Sequence, residues 1–209
     1  MTAPSAPGPQ GPPRTPEQAL AELQAGNRRF VTGTRIHPNQ DAEHRAALAA
    51  AQAPFAVVFG CSDSRLAAEI IFDRGLGDLF VVRTAGHTMG AEVLGSIEYA
   101  VTVLNTPLVV VLGHSSCGAV QAAREAVAHP AEPVGHLGWI VSAIVPSVEL
   151  AAARQADDVD QIVDLHIQRT VQQLPQRSAV LATAVRAGSC AVVGMSYQLE
   201  AGQVRILPG

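Results

Sequence analysis

Lysine is absent from this chain of 209 residues; all fourteen basic positions are arginine, and they are scattered. Eighteen acidic residues bring the net charge to −4, so nothing resembles the basic footprint of a nucleic-acid binder. The missing lysine goes with an abundance of alanine, a bias from which no function follows. Charged residues make up 15% and hydrophobic ones 48%, which excludes a disordered, solvated chain and predicts a globular one. No apolar run reaches the ~18 residues of a membrane-crossing helix, and no secretory hydrophobic segment is expected ahead of the cysteines. No glycine-rich loop suited to phosphate is present, and Gly75-Leu76-Gly77 falls short of a dinucleotide fingerprint. Cysteine is scarce and odd in number, at three. These features predict the reducing cytoplasm, where a cysteine cluster more often means metal or catalysis than a disulfide.

What is there is concentrated in two segments, Cys61-Ser62-Asp63-Ser64-Arg65 and His114-Ser115-Ser116-Cys117-Gly118. Each follows a short apolar run, 55–60 and 108–113, of the kind that forms a buried parallel strand. Strands alternate with helices along the chain, which predicts an α/β fold with a mainly parallel central sheet. The expected strands are 54–60, 79–83, 107–113 and 191–194, parallel to one another, with a short edge strand near 204–207. The expected helices are 15–33, 41–52, a short one around 67–73, 90–105, 116–128, 136–154, 158–174 and 176–187. Thr15, Pro16 and Gln18 form a capping box at the start of the first, and Asp41 caps the second. Residues 1–14, rich in proline and glycine, are expected as a disordered tail, and 15–209 as a single domain without repeats.

If the first and third strands are neighbours, both segments lie at a topological switch point, where open α/β sheets place their ligands. Two thiolates and a neutral imidazole, from Cys61, Cys117 and His114, supply the three protein ligands of a catalytic Zn²⁺ with its fourth position open. A single cysteine is more often a small buried hydrophobe, and Cys190, inside an apolar run, is expected to be one. Asp63 can accept a hydrogen bond from a water on the metal or bind the metal itself, while Arg65 lowers its pKa and orients it. The bland alternative, an ordinary turn with a surface ion pair, is the poorer account beside a metal ligand. His37, His44, His129, His136 and His166 are expected to be solvent-facing or satisfied polar residues. His87 is a possible neighbour of the site, and Trp139 is expected to pack.

Cys-Ser-Asp-Ser-Arg at 61–65 followed by His-x-x-Cys-Gly at 114–118 resembles the beta-class carbonic anhydrases. The likeness runs from about residue 17 to 198 and takes in 69–73, 80–86 and 95–100. It implies reversible hydration of carbon dioxide to bicarbonate and a proton by a zinc-bound hydroxide, with one Zn²⁺ per chain on Cys61, His114 and Cys117. Asp63 and Arg65 would be the catalytic dyad, with Asp63 a fourth ligand only in a closed state. The resemblance further implies that Gln52 and the Gly118 backbone contact substrate and that Phe80, Ala85 and Tyr99 wall the cleft. It implies a homodimer or tetramer, with residues 16–52 reaching onto the partner, and no nucleic-acid or membrane partner. Some bacterial members hold a regulatory bicarbonate in a pocket that uses a tryptophan at the position of Val58; its arginine is matched by Arg83, but without the tryptophan no such pocket is expected. Two rival readings use the same motif: a hydrolase of carbonyl sulfide or carbon disulfide, and an inactive zinc-binding regulatory protein. The intact Asp63–Arg65 pair argues against the second, since a structural zinc wants a fourth Cys or His and needs no such dyad.

Overall fold

The computed structural model describes residues 13–130 and 134–208. Thr15 caps helix α1 (Pro16–Thr32): its side chain accepts from the Gln18 amide while the Gln18 side chain reaches back, and Gly33 closes the helix at φ 71°. Ala19, Leu23 and Asn27 turn the inner face of α1 onto the body of the same chain. Helix α2 (Ala42–Ala47), capped by Asp41, buries nothing. It ends well before the Gln52 expected from sequence, leaving 51–53 as an exposed lead-in to the sheet. With no apolar face to bury, alanine propensity alone does not carry α2 further.

Strands β1 (Ala56–Cys61) and β3 (Leu108–His114) are buried along their whole length, as central strands covered on both faces must be. Strand β2 (Leu79–Thr84) is half-buried and lies at one edge. Strand β4 (Ala191–Tyr197) and the short β5 (Val204–Ile206) complete the order β2-β1-β3-β4-β5. The first four strands are parallel and β5 is antiparallel to β4, the architecture predicted from the alternation of elements. β4 runs three residues beyond the predicted end at Gly194, because it stays paired with β3 as far as His114↔Tyr197.

The connecting helices are α3 (Ala68–Ile71), α4 (Ala91–Thr102), α5 (Gly118–Ala128), α6 (Leu137–Ala153), α7 (Val159–Arg177) and α8 (Ala179–Arg186). A single 3₁₀ turn, Ala85–His87, follows β2. Helix α7 lies close on the sheet because Gly113 and Gly194 leave room there: a Cβ on either would come within 2.8 Å of Ile167. Trp139 corrects the sequence reading. It is 79% exposed, on the side of α6 away from the Ile144, Ser147, Val148 and Ala151 face that packs inward. The predicted tail falls, but for Pro13 and Arg14, outside the described residues.

Candidate metal centre

β1 and β3 are adjacent and in register from Val57↔Val109 to Gly60↔Leu112, so Cys61 and His114 end neighbouring strands at the same edge of the sheet. The chain crosses from β1 to β2 on one side and β3 lies on the other, which opens the crevice between them. Cys117 completes the group as the residue that precedes α5. The ligand atoms of Cys61, His114 and Cys117 lie within 4.8 Å of one another, and all three residues are buried.

The turn that carries His114 and Cys117 is braced at each residue. The Ser115 amide donates to the Tyr197 carbonyl at 2.9 Å, and the Leu199 amide donates to Ser115 Oγ at 3.0 Å. Ser116 is held at φ 54°, with its amide donating to the Asp160 carboxylate at 2.7 Å. His114 Nδ1 lies 2.9 Å from the Ser115 carbonyl, an acceptor only, so Nδ1 carries the proton and Nε2 presents a lone pair. That Nε2 is buried and has no hydrogen-bond partner among the described residues.

The electrostatics describe a place for a cation. The hydrogen bond from the Cys117 thiol, above all, brings the Cys61 pKa well below the usual thiol range against the cost of burial; His114 and the Asp63 and Gly86 amides add to this. Cys117 in turn is driven up by its bond to the Cys61 thiolate and by burial, although the amides of Val120 and Ala119 at the start of α5 favour its charged form. Burial works against a proton on His114, yet the Cys61 thiolate, the Ser115 carbonyl and Asp63 lift its pKa. The Cys117 thiol and the His114 imidazole thus crowd protons around the one Cys61 thiolate. Two sulfurs and one unpartnered imidazole nitrogen are a donor set that suits zinc, which would displace those protons.

Asp63 stands at the mouth. Arg65 clamps it in a two-pronged pair, Nε to Oδ1 at 2.9 Å and a terminal nitrogen to Oδ2 at 2.7 Å, and the Arg65 amide also donates to Oδ1. The Arg65 side chain holds the Asp63 carboxyl well below the usual carboxylate range. Asp63 Oδ2 is 3.8 Å from His114 Nε2, beside the metal position, with both carboxylate oxygens engaged by Arg65 rather than turned into the cluster. Arg83 fixes the backbone beneath, donating to the carbonyls of Cys61 at 2.9 Å and Asp63 at 2.6 Å.

The carbonic anhydrase family profile matches residues 56–204. Carbonic anhydrase 2 of Mycobacterium tuberculosis is 52% identical over 192 residues, 92% of this chain and 93% of that protein. The carbonic anhydrase of Mycolicibacterium smegmatis is 51% identical over 195 residues, 93% of this chain and 95% of that one. The crystal structure of a beta-carbonic anhydrase of Aspergillus fumigatus superposes with a TM-score of 0.70 at 27% identity, over 91% of this chain and 89% of that one. The chain belongs to the beta-carbonic anhydrase family. This is a family of zinc enzymes, and the Cys61–His114–Cys117 cluster is fit to bind a metal.

The remaining residues that the family resemblance implied divide into two groups. Ala85 and Gly118 line one cavity of about 530 Å³, walled by Ala119, Ala122, Ile140 and Val141, and a Cβ on Gly118 would meet only open space. Gln52, Phe80 and Tyr99 are not brought to the cluster within one chain. Gln52 precedes β1, at the end opposite Cys61. Phe80 pairs with Val57, four residues before Cys61, or roughly 13 Å along the strand. Tyr99 stays with Phe80, their ring centroids 6.2 Å apart. Of the other expectations, Cys190 is buried as a small hydrophobe, His37, His129 and His136 are exposed, and His44 is half-buried with its Nε2 3.0 Å from the Leu76 carbonyl. The brace from Asp160 and the Gly86 amide, which donates to Cys61 Sγ at 3.3 Å, were not foreseen. Neither carries a sequence signal: Asp160 lies 44 residues from its partner, and the Gly86 contact is made by backbone.

Proposed function

We propose that this carbonic anhydrase catalyses the reversible hydration of carbon dioxide to bicarbonate and a proton, with one Zn²⁺ held by Cys61, His114 and Cys117. The observation that carries this reading is the buried, unpartnered His114 Nε2 facing two sulfurs, with the Asp63–Arg65 pair at its mouth. Zinc bound there supplies Lewis-acid chemistry, making a water nucleophilic near neutral pH.

The chain's own residues orient and receive. Asp63, kept ionised by Arg65, accepts a hydrogen bond from the attacking water and aligns its lone pair toward carbon. Its low pKa means that it does not retain the proton, which leaves to buffer. The Gly118 amide, opening α5, is disposed to receive the charge that develops on the carbon dioxide oxygen, where a helix N-terminus favours it. The apolar cavity beside Gly118 and Ala85 suits a nonpolar gas.

Gln52, Phe80 and Tyr99 join this site only if a second copy supplies them, which supports a homodimer or an assembly of dimers. β2 offers an unpaired edge with half-buried Leu79, Phe80, Val81 and Val82, and α2 with the exposed 51–53 stretch is free to reach across. Three free cysteines fit a cytoplasmic protein, and no described helix is long and apolar enough to cross a membrane. Residues 15–209 act as one domain in this reading. A stopped-flow assay of carbon dioxide hydration, run on the zinc-loaded and chelator-treated protein, tests it: hydration that persists after metal removal refutes it. The same assay with carbonyl sulfide and carbon disulfide distinguishes the rival hydrolase.

A further inference from the structure

The mechanism above leaves a buried pair of histidines unused. His87 and His166 are 1% and 3% exposed, with ring centroids 4.4 Å apart. Neither nitrogen of His87 has a partner among the described residues, whereas His166 uses both of its own. His166 Nε2 lies 3.0 Å from the Gly86 carbonyl oxygen and Nδ1 lies 2.9 Å from Ser147 Oγ. A carbonyl only accepts, so Nε2 carries a proton. Burial pushes the His166 pKa down to about 4, so the ring is neutral, Nδ1 accepts, and the Ser147 hydroxyl donates to it. Ser147 therefore selects the tautomer that donates to Gly86.

Gly86 sits between this pair and the metal position. It is held at φ 62°, ψ 26°, and a Cβ there would come 2.7 Å from Ile144 Cδ1 and 2.9 Å from the Ala119 Cβ. Its two polar groups are both committed: the carbonyl to His166, and the amide to Cys61 Sγ at 3.3 Å. An N–H donor on a ligating sulfur draws charge from it, which weakens its donation and leaves the metal more electrophilic.

We infer that His166 is a positioning residue of the metal centre: by anchoring the Gly86 carbonyl it aims the Gly86 amide at Cys61 Sγ and so sets how strongly that thiolate donates to the metal. This rests on the metal site proposed above. The test uses the full-length protein with Co²⁺ in place of Zn²⁺, in which the sulfur-to-cobalt charge-transfer absorption reports thiolate donation directly. His166→Phe, which keeps bulk and loses the donor, is expected to move that band to lower energy. His166→Gln, whose amide can again donate to the Gly86 oxygen, is expected to return the band toward its wild-type position. A purely structural role would give no such rescue. If His166→Phe does not fold, Ser147→Ala decides: without the donor that selects the tautomer, the band is expected to move the same way by less. An unmoved band in folded His166→Phe, or in Ser147→Ala where it stands in, overturns the inference, as does a His166→Gln band displaced as far as that of His166→Phe. A wild-type cobalt protein without any sulfur charge-transfer band would instead overturn the metal site itself, and this inference with it.

Discussion

Replacing Asp73 by Asn is expected to loosen the fold by an amount that the structure sets. The Asp73 side chain is 1% exposed and accepts three hydrogen bonds: Arg29 Nε at 2.6 Å and the Ile36 amide at 3.1 Å on Oδ2, and the His37 amide at 3.0 Å on Oδ1. It thereby ties α1 to the segment that follows it. Asn keeps one acceptor and puts an NH₂ where the other stood, so a donor then faces a donor whichever way the amide is turned. Breaking a buried pair by removing one partner costs about 3–5 kcal/mol. Arg29 is 24% exposed, and water that reaches it places the cost at the lower end, about 3 kcal/mol. At ~2–4 °C per kcal/mol for a chain of this size, Tm falls by about 6–12 °C.

The pH dependence gives a second handle on the same residue. Burial alone would raise the Asp73 pKa, but the Arg29 side chain and the two amides outweigh it and lower the value. A carboxyl whose pKa folding lowers stabilises the folded state above its unfolded value of ~3.9, and that contribution is lost as pH falls through the folded value. The Asn variant should therefore show a smaller loss of Tm between pH 6 and pH 3 than wild type. Circular dichroism melts at one fixed protein concentration measure both quantities, since oligomers melt in a concentration-dependent way. A Tm within about 2 °C of wild type at pH 7 would refute the reasoning, because it would mean that the three bonds contribute almost nothing net.

Cys117→Ser should lose most of its zinc, since a neutral hydroxyl is a poor substitute for a thiolate; metal analysis finding one zinc per chain would contradict the ligand set. Hydration activity should rise with pH, with a midpoint above neutrality. Two thiolates cancel the charge of Zn²⁺ and leave a ligated water less acidic than the ~7 of a three-histidine site, so a flat rate profile from pH 6.5 to 9 would refute this. Because Val58 stands where a bicarbonate pocket would need tryptophan, added bicarbonate should not shift that midpoint; a shift would show an anion site of another kind. Sedimentation at micromolar protein should give a dimer or larger, and a monomer there would leave Gln52, Phe80 and Tyr99 without a site to serve.

The sheet and the candidate metal cluster were legible in the sequence because their signals are local. An apolar run that ends in a cysteine or a histidine places that residue at a strand end, and β1 and β3 needed only to be neighbours for Cys61 and His114 to meet. The capping box of α1 was legible for the same reason, since Thr15 and Gln18 answer each other within one turn. What could not be read depends on contacts distant in sequence. The length of β4 is decided by its ladder to β3, not by Gly194. Trp139 looked like a core residue by type, yet its place on α6 points it outward in the single chain. The resemblance supplied Gln52, Phe80 and Tyr99 as cleft residues without saying which copy of the chain they serve. His166 read as an ordinary polar residue because its importance rests on a backbone carbonyl 80 residues away.

The position of the ligands at the ends of two neighbouring parallel strands also bears on how the protein folds. β1 and β3 are separated in the chain by α3, β2 and α4, so a metal held by Cys61, His114 and Cys117 would close a long loop as well as a catalytic site. No metal site exists until those strands have paired, which makes capture of the ion a late event that the emerging chain cannot perform before residue 117 is available. An ion captured there would act as a clasp: unfolding of the enclosed segment would either release it or proceed with the loop still tied, and a tied loop gains less chain entropy. Resistance to unfolding should accordingly be greatest in the stretch from Cys61 to Cys117 when metal is bound, and hydrogen exchange there should quicken most when it is withdrawn.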